Sequence, residues 1–117
     1  MIFDKKALIK FRHDLHKFPE LGFMEKRTKS KISETLHKLN IEVHEGLGVL
    51  GILKSGKSKK MIALRADIDA LPITETTNCS YSSTNSGVMH ACGHDGHTAM
   101  LIGAADLLAS KQSFDGT

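Results

Sequence analysis

The chain has 117 residues, 40% of them hydrophobic and 25% charged, the composition of one globular domain or part of one, which excludes collagen-like and grossly disordered chains. No run reaches the ~18 apolar residues of a membrane-spanning helix, and the opening Met1-Ile2-Phe3-Asp4-Lys5-Lys6 lacks the apolar stretch of a secretory leader, so a cytoplasmic protein with no membrane partner is expected. Net charge is +3, concentrated in residues 1–60 with 14 Lys/Arg against 7 Asp/Glu; these lysines fall on the wet side of a helix and in a loop, without interleaved aromatics, and no nucleic-acid partner is expected.

Residues 4–16 predict a helix: Ala7, Leu8, Phe11 and Leu15 recur at three and four, Asp4 stands at the N-cap position, and Phe18-Pro19-Glu20 ends it. A second helix is predicted over 24–39, with Thr28, Ile32, Leu36 and Leu39 as its apolar stripe and Lys26, Arg27, Lys29, Lys31, Glu34 and Lys38 outside. Residues 41–54 turn β-like, broken by Gly46, Gly48 and Gly51. After a loop at Ser55-Gly56-Lys57-Ser58, the continuous apolar run Met61-Ile62-Ala63-Leu64 predicts a strand over 60–66 buried on both faces, in the middle of a sheet. Residues 67–87, with Pro72 and a run of Thr, Ser and Asn, predict a long irregular loop, a feature that is usually functional in compact domains. Residues 98–109 are apolar nearly all round and predict a helix enclosed by other layers. Together these give an α/β fold with a mixed sheet of three or four strands covered by helices on both faces.

Seven histidines occur, three of them in positions 90–97. Asp67 and Asp69, two apart in an extended segment leaving the predicted strand, share one side of the chain. They suit a metal or the support of a histidine; equally, they could cap a turn before Pro72. His90, Cys92, His94, Asp95 and His97 are five potential ligands within eight residues, and the intervening Gly93 and Gly96 allow the tight bend that turns Cys92 and His94 toward one ion. Thiolate and imidazole favour Zn²⁺, Mn²⁺ or a neighbouring divalent metal. Asp95 has a competing role as N-cap of the following helix, and His97, in its first turn, is placed for a substrate or outer contact. A Cys/His nucleophile lacks an identifiable oxyanion hole, a zinc knuckle lacks its CxxC or HxxxH spacing, and Cys79 reads as a loop thiol.

Arg65-Ala66-Asp67-Ile68-Asp69-Ala70-Leu71-Pro72-Ile73 and His90-Ala91-Cys92-Gly93-His94-Asp95-Gly96-His97-Thr98 resemble the N-terminal signatures of the hippurate hydrolase and indole-acetyl-amino-acid hydrolase family, within the aminoacylase and carboxypeptidase G-type metallopeptidases. Leu15-His16-Lys17-Phe18-Pro19-Glu20-Leu21-Gly22-Phe23, followed by Glu25 and Thr28, fits the same pattern. The resemblance implies a co-catalytic metallopeptidase fold and an amidohydrolase that cleaves a small N-acylated amino acid with a metal-activated water, using two divalent ions, Zn²⁺ or Mn²⁺. It implies Cys92 and His94 as metal ligands, Asp69 as the catalytic-site carboxylate that orients a ligand from behind, and Asp67 and His97 as substrate or outer contacts. Members of that family are considerably longer, with a Glu-Glu pair, two further histidine ligands and an inserted lid and dimerisation domain beyond the corresponding region. Residues 1–117 are therefore expected to be an incomplete N-terminal part of the catalytic domain, without the lid, of open oligomeric state and with little catalysis of their own. The other reading is a non-catalytic fragment serving as a metal-binding or subunit-interaction module.

Overall fold

Asp4 starts the first helix as expected: its Oδ1 accepts the Ala7 N–H at 2.7 Å, filling one of the donors that a helix N-terminus leaves free. The computed structural model describes residues 2–117, and its elements are α1 (Lys5–Lys17), α2 (Lys26–Lys38), β1 (Glu42–Glu45), β2 (Val49–Ile52) and α3 (His94–Lys111). The first turn of α2 is held by a residue outside it, for the Glu20 carboxylate accepts the N–H groups of Arg27 (2.7 and 2.9 Å) and Thr28 (3.2 and 3.3 Å). A carboxylate there also meets the positive end of the helix dipole. Among the described residues no helix is long and apolar enough to cross a membrane.

The apolar stripes meet where their spacing directs them. Phe11 and Leu15 of α1, Ile32 and Leu36 of α2, Leu39, Ile41, and Ala99 and Ile102 of α3 form one buried cluster. α1 packs along α3, and α2 covers one face of the hairpin. Gly103 permits the close approach of α1 to α3: a Cβ there would stand 2.9 Å from Leu8 Cδ1. Asp106, also on α3, is 1% exposed and accepts the main-chain N–H groups of Ile2 (2.9 Å) and Phe3 (2.7 Å), tying the N-terminal stretch to the same helix.

The sheet differs from expectation. It is a two-stranded antiparallel ribbon, β1 with β2, running from Glu42 opposite Ile52 to Glu45 opposite Val49, not a mixed sheet covered on both faces. Residues 60–66 form no strand, and Met61, Ile62 and Leu64 are 76%, 83% and 59% exposed. Their main-chain partner among the described residues is Thr117, which donates to the Lys60 carbonyl at 2.9 Å and accepts from the Ile62 N–H at 3.0 Å. That is the slanted pattern of a single parallel rung. A continuous apolar run expresses a preference for burial on both faces, and here one rung is all that meets it. The enclosure expected of α3 is likewise one-sided: Asp95, Thr98, Ala99, Ile102 and Asp106 are buried, whereas Met100, Leu107 and Leu108 are exposed. The long loop is as expected, with no helix or ladder over 67–87.

Leu15 is 1% exposed and Leu50 58%. Leu15→Ala is expected to lower unfolding free energy by about 3 kcal/mol, as cavity formation in a packed seam does, while Leu50→Ala should stay within about 0.5 kcal/mol. Urea titrations of the two variants check the contrast.

Candidate metal centre

The segment holding both motifs is assembled from short pairings. Ala70 N–H donates to the Glu20 carbonyl at 2.8 Å, and Leu71 exchanges both main-chain hydrogen bonds with Met89. Residues 69–71 therefore run between the end of α1 and the approach to α3. The Thr98 hydroxyl donates to the Asp67 carbonyl at 3.2 Å, fastening the same segment to the second turn of α3. The chain enters α3 through a turn over 90–93, closed by the Gly93 N–H and the His90 carbonyl at 3.4 Å, with Gly93 at φ +78°. Left-handed backbone suits glycine because a Cβ would clash there, so a side chain at 93 would strain the turn between Cys92 and His94.

Gly93, not Asp95, is the N-cap of α3, and it makes no side-chain cap. The left-handed turn starts the helix at His94, so that Asp95 lies inside the first turn. The predicted N-cap role of Asp95 is thereby replaced.

His94 and Asp69 come together directly. His94 Nδ1 lies 3.0 Å from Asp69 Oδ1 and 3.0 Å from the Asp69 main-chain carbonyl. A carbonyl oxygen only accepts, so Nδ1 carries the hydrogen, and the lone pair of this tautomer is on Nε2, on the opposite side of the ring. Support of a histidine by a carboxylate or main-chain carbonyl on one nitrogen is the arrangement found behind metal-binding imidazoles. His97 is exposed, with its ring centroid 6.0 Å from that of His94. The Asp67 carboxylate is engaged by Arg65 through Nη2 (2.7 Å) and Nε (3.1 Å), which holds it below the usual carboxylate range. Cys92 is exposed in the turn before α3. The donor set of thiol and Nε2, both left free by the fold, fits a borderline-soft divalent ion. Among the described residues there is no group of three or more His, Cys, Asp or Glu side chains arranged to hold a metal.

Two of the five potential ligands are turned inward. His90 is 3% exposed, and burial pushes its pKa down. Asp95 is 1% exposed and belongs to a polar network absent from the sequence reading. Its Oδ2 lies 3.0 Å from Arg12 Nε and 2.9 Å from His16 Nδ1, while His16 Nε2 lies 3.1 Å from Glu75 Oε1. Glu75 also accepts from the Thr77 hydroxyl and from the Ser83 N–H at 2.6 Å. Burial works to raise the Glu75 pKa, but the Thr77, Ser83 and His16 hydrogen bonds outweigh it and bring the group down to about 2. The usable sequence signal was His16 itself, adjacent to Leu15 on the buried side of α1.

Residues 63–117 match the family described as Peptidase family M20/M25/M40. The chain is 52% identical over 110 residues to hippurate hydrolase of Campylobacter jejuni, covering 92% of this chain and 28% of that protein. It is 47% identical to thermostable carboxypeptidase 1 of Saccharolobus solfataricus, with 90% and 28% covered. A crystal structure of a Bacillus subtilis protein, described as a dinuclear metal-binding peptidase of the M20 family, superposes with a TM-score of 0.88 at 45% identity, over 92% of this chain and 32% of that one. The chain is related to the M20 peptidases and amidohydrolases, as its two motifs imply, and it spans less than a third of the length of these relatives.

The network fixes an acid response. Glu75 has its pKa at about 2 in the folded chain against 4.5 for the free group, so its contribution to stability is full above the unfolded value and disappears as pH falls through the folded one. The stability difference between the wild type and Glu75→Gln is therefore expected to be largest near neutrality and to vanish toward pH ~2, measured as urea midpoints over that range.

Proposed function

We propose that this chain carries part of the metal centre of an M20-type amidohydrolase that cleaves the amide bond of N-acylated amino acids, and that residues 1–117 form an incomplete portion of its catalytic domain. The observation that carries this reading is the hold of Asp69 on His94 Nδ1, at 3.0 Å from both its carboxylate and its carbonyl, which leaves Nε2 free. Cys92 and His94 would hold a divalent ion, Zn²⁺ or Mn²⁺, in a centre that takes two. When bound, such ions supply Lewis acidity to the amide carbonyl and make a coordinated water acidic enough to act as nucleophile. Asp69 fixes the tautomer and direction of His94 from behind; His97 and Asp67, exposed beside it, contact the substrate or support the ligands. The names borne by relatives, hippurate hydrolase and carboxypeptidase, support an amide adjoining a free amino-acid carboxylate as the substrate class.

Catalytic zinc centres take about three protein ligands per ion, and Cys92 with His94 gives fewer than one ion requires. The 117-residue chain is therefore expected to bind metal without turning over hippurate. Titration with Co²⁺ tests the centre: a thiolate-to-metal absorption band is expected in the wild type, lost in Cys92→Ser. His94→Ala should weaken binding ~100-fold and Asp69→Asn ~10-fold or less, the scale of ligand and supporting-residue losses. No band in the wild type would overturn the reading, and hippurate turnover by the chain would overturn its incompleteness.

The exposed apolar side chains Met61, Ile62 and Leu64, with Met100, Leu107 and Leu108 on α3, favour a second reading as a subunit-interaction module. Concentration-dependent association in sedimentation supports it, and a monomer across the range opposes it.

A further inference from the structure

His16 lies between α1, the long loop and the first turn of α3, and the metal-centre reading makes no use of it. It is 5% exposed, and each ring nitrogen ends on a carboxylate: Nδ1 at 2.9 Å from Asp95 Oδ2, Nε2 at 3.1 Å from Glu75 Oε1. Ionised carboxylates only accept hydrogen bonds, and a neutral imidazole has a single N–H. One of the two contacts would then set a lone pair against an anion inside the fold, where an unpaired charge is costly. The imidazolium donates to both.

The surrounding charges are consistent with that state. Asp95 is shared with Arg12, whose Nε is 3.0 Å from the same Oδ2, so the two carboxylates meet one fixed cation besides the ring. Tyr81 stands edge-on to the ring at 5.4 Å between centroids, and itself stacks on His13 at 3.7 Å. His90 lies 6.3 Å away. Burial alone would lower the His16 pKa, but the hydrogen bonds to Asp95 and Glu75 more than reverse this and leave it raised.

We infer that His16 is a positioning residue for the metal ligands: as an imidazolium it clamps Glu75 of the long loop to Asp95 of α3, and so sets the attitude in which the adjacent His94 meets Asp69. The inference deepens the proposed function and rests on it for the ligand role of His94. The connection is short, because Asp95 follows His94 in the same helical turn and has its position fixed from α1 by both Arg12 and His16. A clamp of this kind has its full strength between the unfolded Glu75 value of 4.5 and the unfolded histidine pKa of ~6.5; it is released on the alkaline side as pH rises through the raised His16 value, and on the acid side as Glu75 protonates.

Nitrogen-15 spectra of the histidine rings in the 117-residue chain test the charge. Both His16 nitrogens are expected to be protonated at pH ~6.5, where an unperturbed histidine is only half charged, with a midpoint raised above the free value that Glu75→Gln lowers; a single N–H tautomer at that pH, or a midpoint indifferent to Glu75→Gln, overturns the imidazolium. Co²⁺ titration tests the positioning. His16→Gln is expected to lose ~10-fold in affinity while keeping the thiolate band at saturation, the loss typical of a group that orients a ligand, and unchanged affinity overturns the role. If His16→Gln does not fold, Glu75→Gln, which leaves the ring and α3 in place, is read in its stead and should lose affinity in the same direction. A wild type with no thiolate band sinks the metal-centre reading and the positioning role with it, while the ring spectra still decide whether His16 is charged.

Discussion

The seam between α1 and α3 is the constraint on which the rest of the structure depends. Its apolar part, Phe11 and Leu15 against Ala99 and Ile102, excludes water, and Leu8 packs against the bare backbone of Gly103. At the end of α3 that bears the motif, the seam turns polar: the buried His16 and Asp95 meet there, and the half-exposed Arg12 reaches Asp95 from the rim. Charges so placed depend on one another, because removal of one partner leaves another buried and uncompensated. The beginning of α3 is consequently held in one attitude by requirements of both volume and charge, and His94 is the first residue of that helix.

Buried ion pairs contribute little to net stability, since desolvation offsets their attraction; what they supply is an arrangement with few alternatives. The proposed ligand site needs that kind of support, because an imidazole must be aimed as well as present. On that proposal two supports act at different ranges. Asp69 fixes the ring of His94 by direct contact, and the Arg12, His16 and Glu75 cluster fixes the helical turn on which that ring is carried. Cys92, outside the helix and beyond Gly93, has only the turn to place it.

What the sequence made legible follows the range of the interactions. The helices α1 and α2 were readable because each has its own amphipathic stripe, and the Asp4 cap because it acts three residues away. Asp69 with His94 was readable as chemistry, since an acidic pair and a Cys/His cluster are informative without knowledge of their distance. The strand over 60–66 failed because apolar continuity reports a preference for burial and says nothing of whether a neighbour is there to meet it. Asp95 was misassigned because an acid just ahead of an apolar helix is the usual cap, and the left-handed Gly93 starts this helix earlier. The pairings of the His16 network were not legible: His16 and Asp95 each stand in a motif, but they and Glu75 join positions 59 and 79 residues apart that no period connects.

The double acceptance of the His94 hydrogen by Asp69 has a consequence for how such a site can drift. One acceptor is a side chain, which a single base change can erase; the other belongs to the peptide unit, which every amino acid possesses. Half of the aim of His94 is thus written into the course of the chain rather than into the identity of residue 69. A lineage could exchange that aspartate and still inherit the tautomer, provided the path of the segment past α3 were preserved.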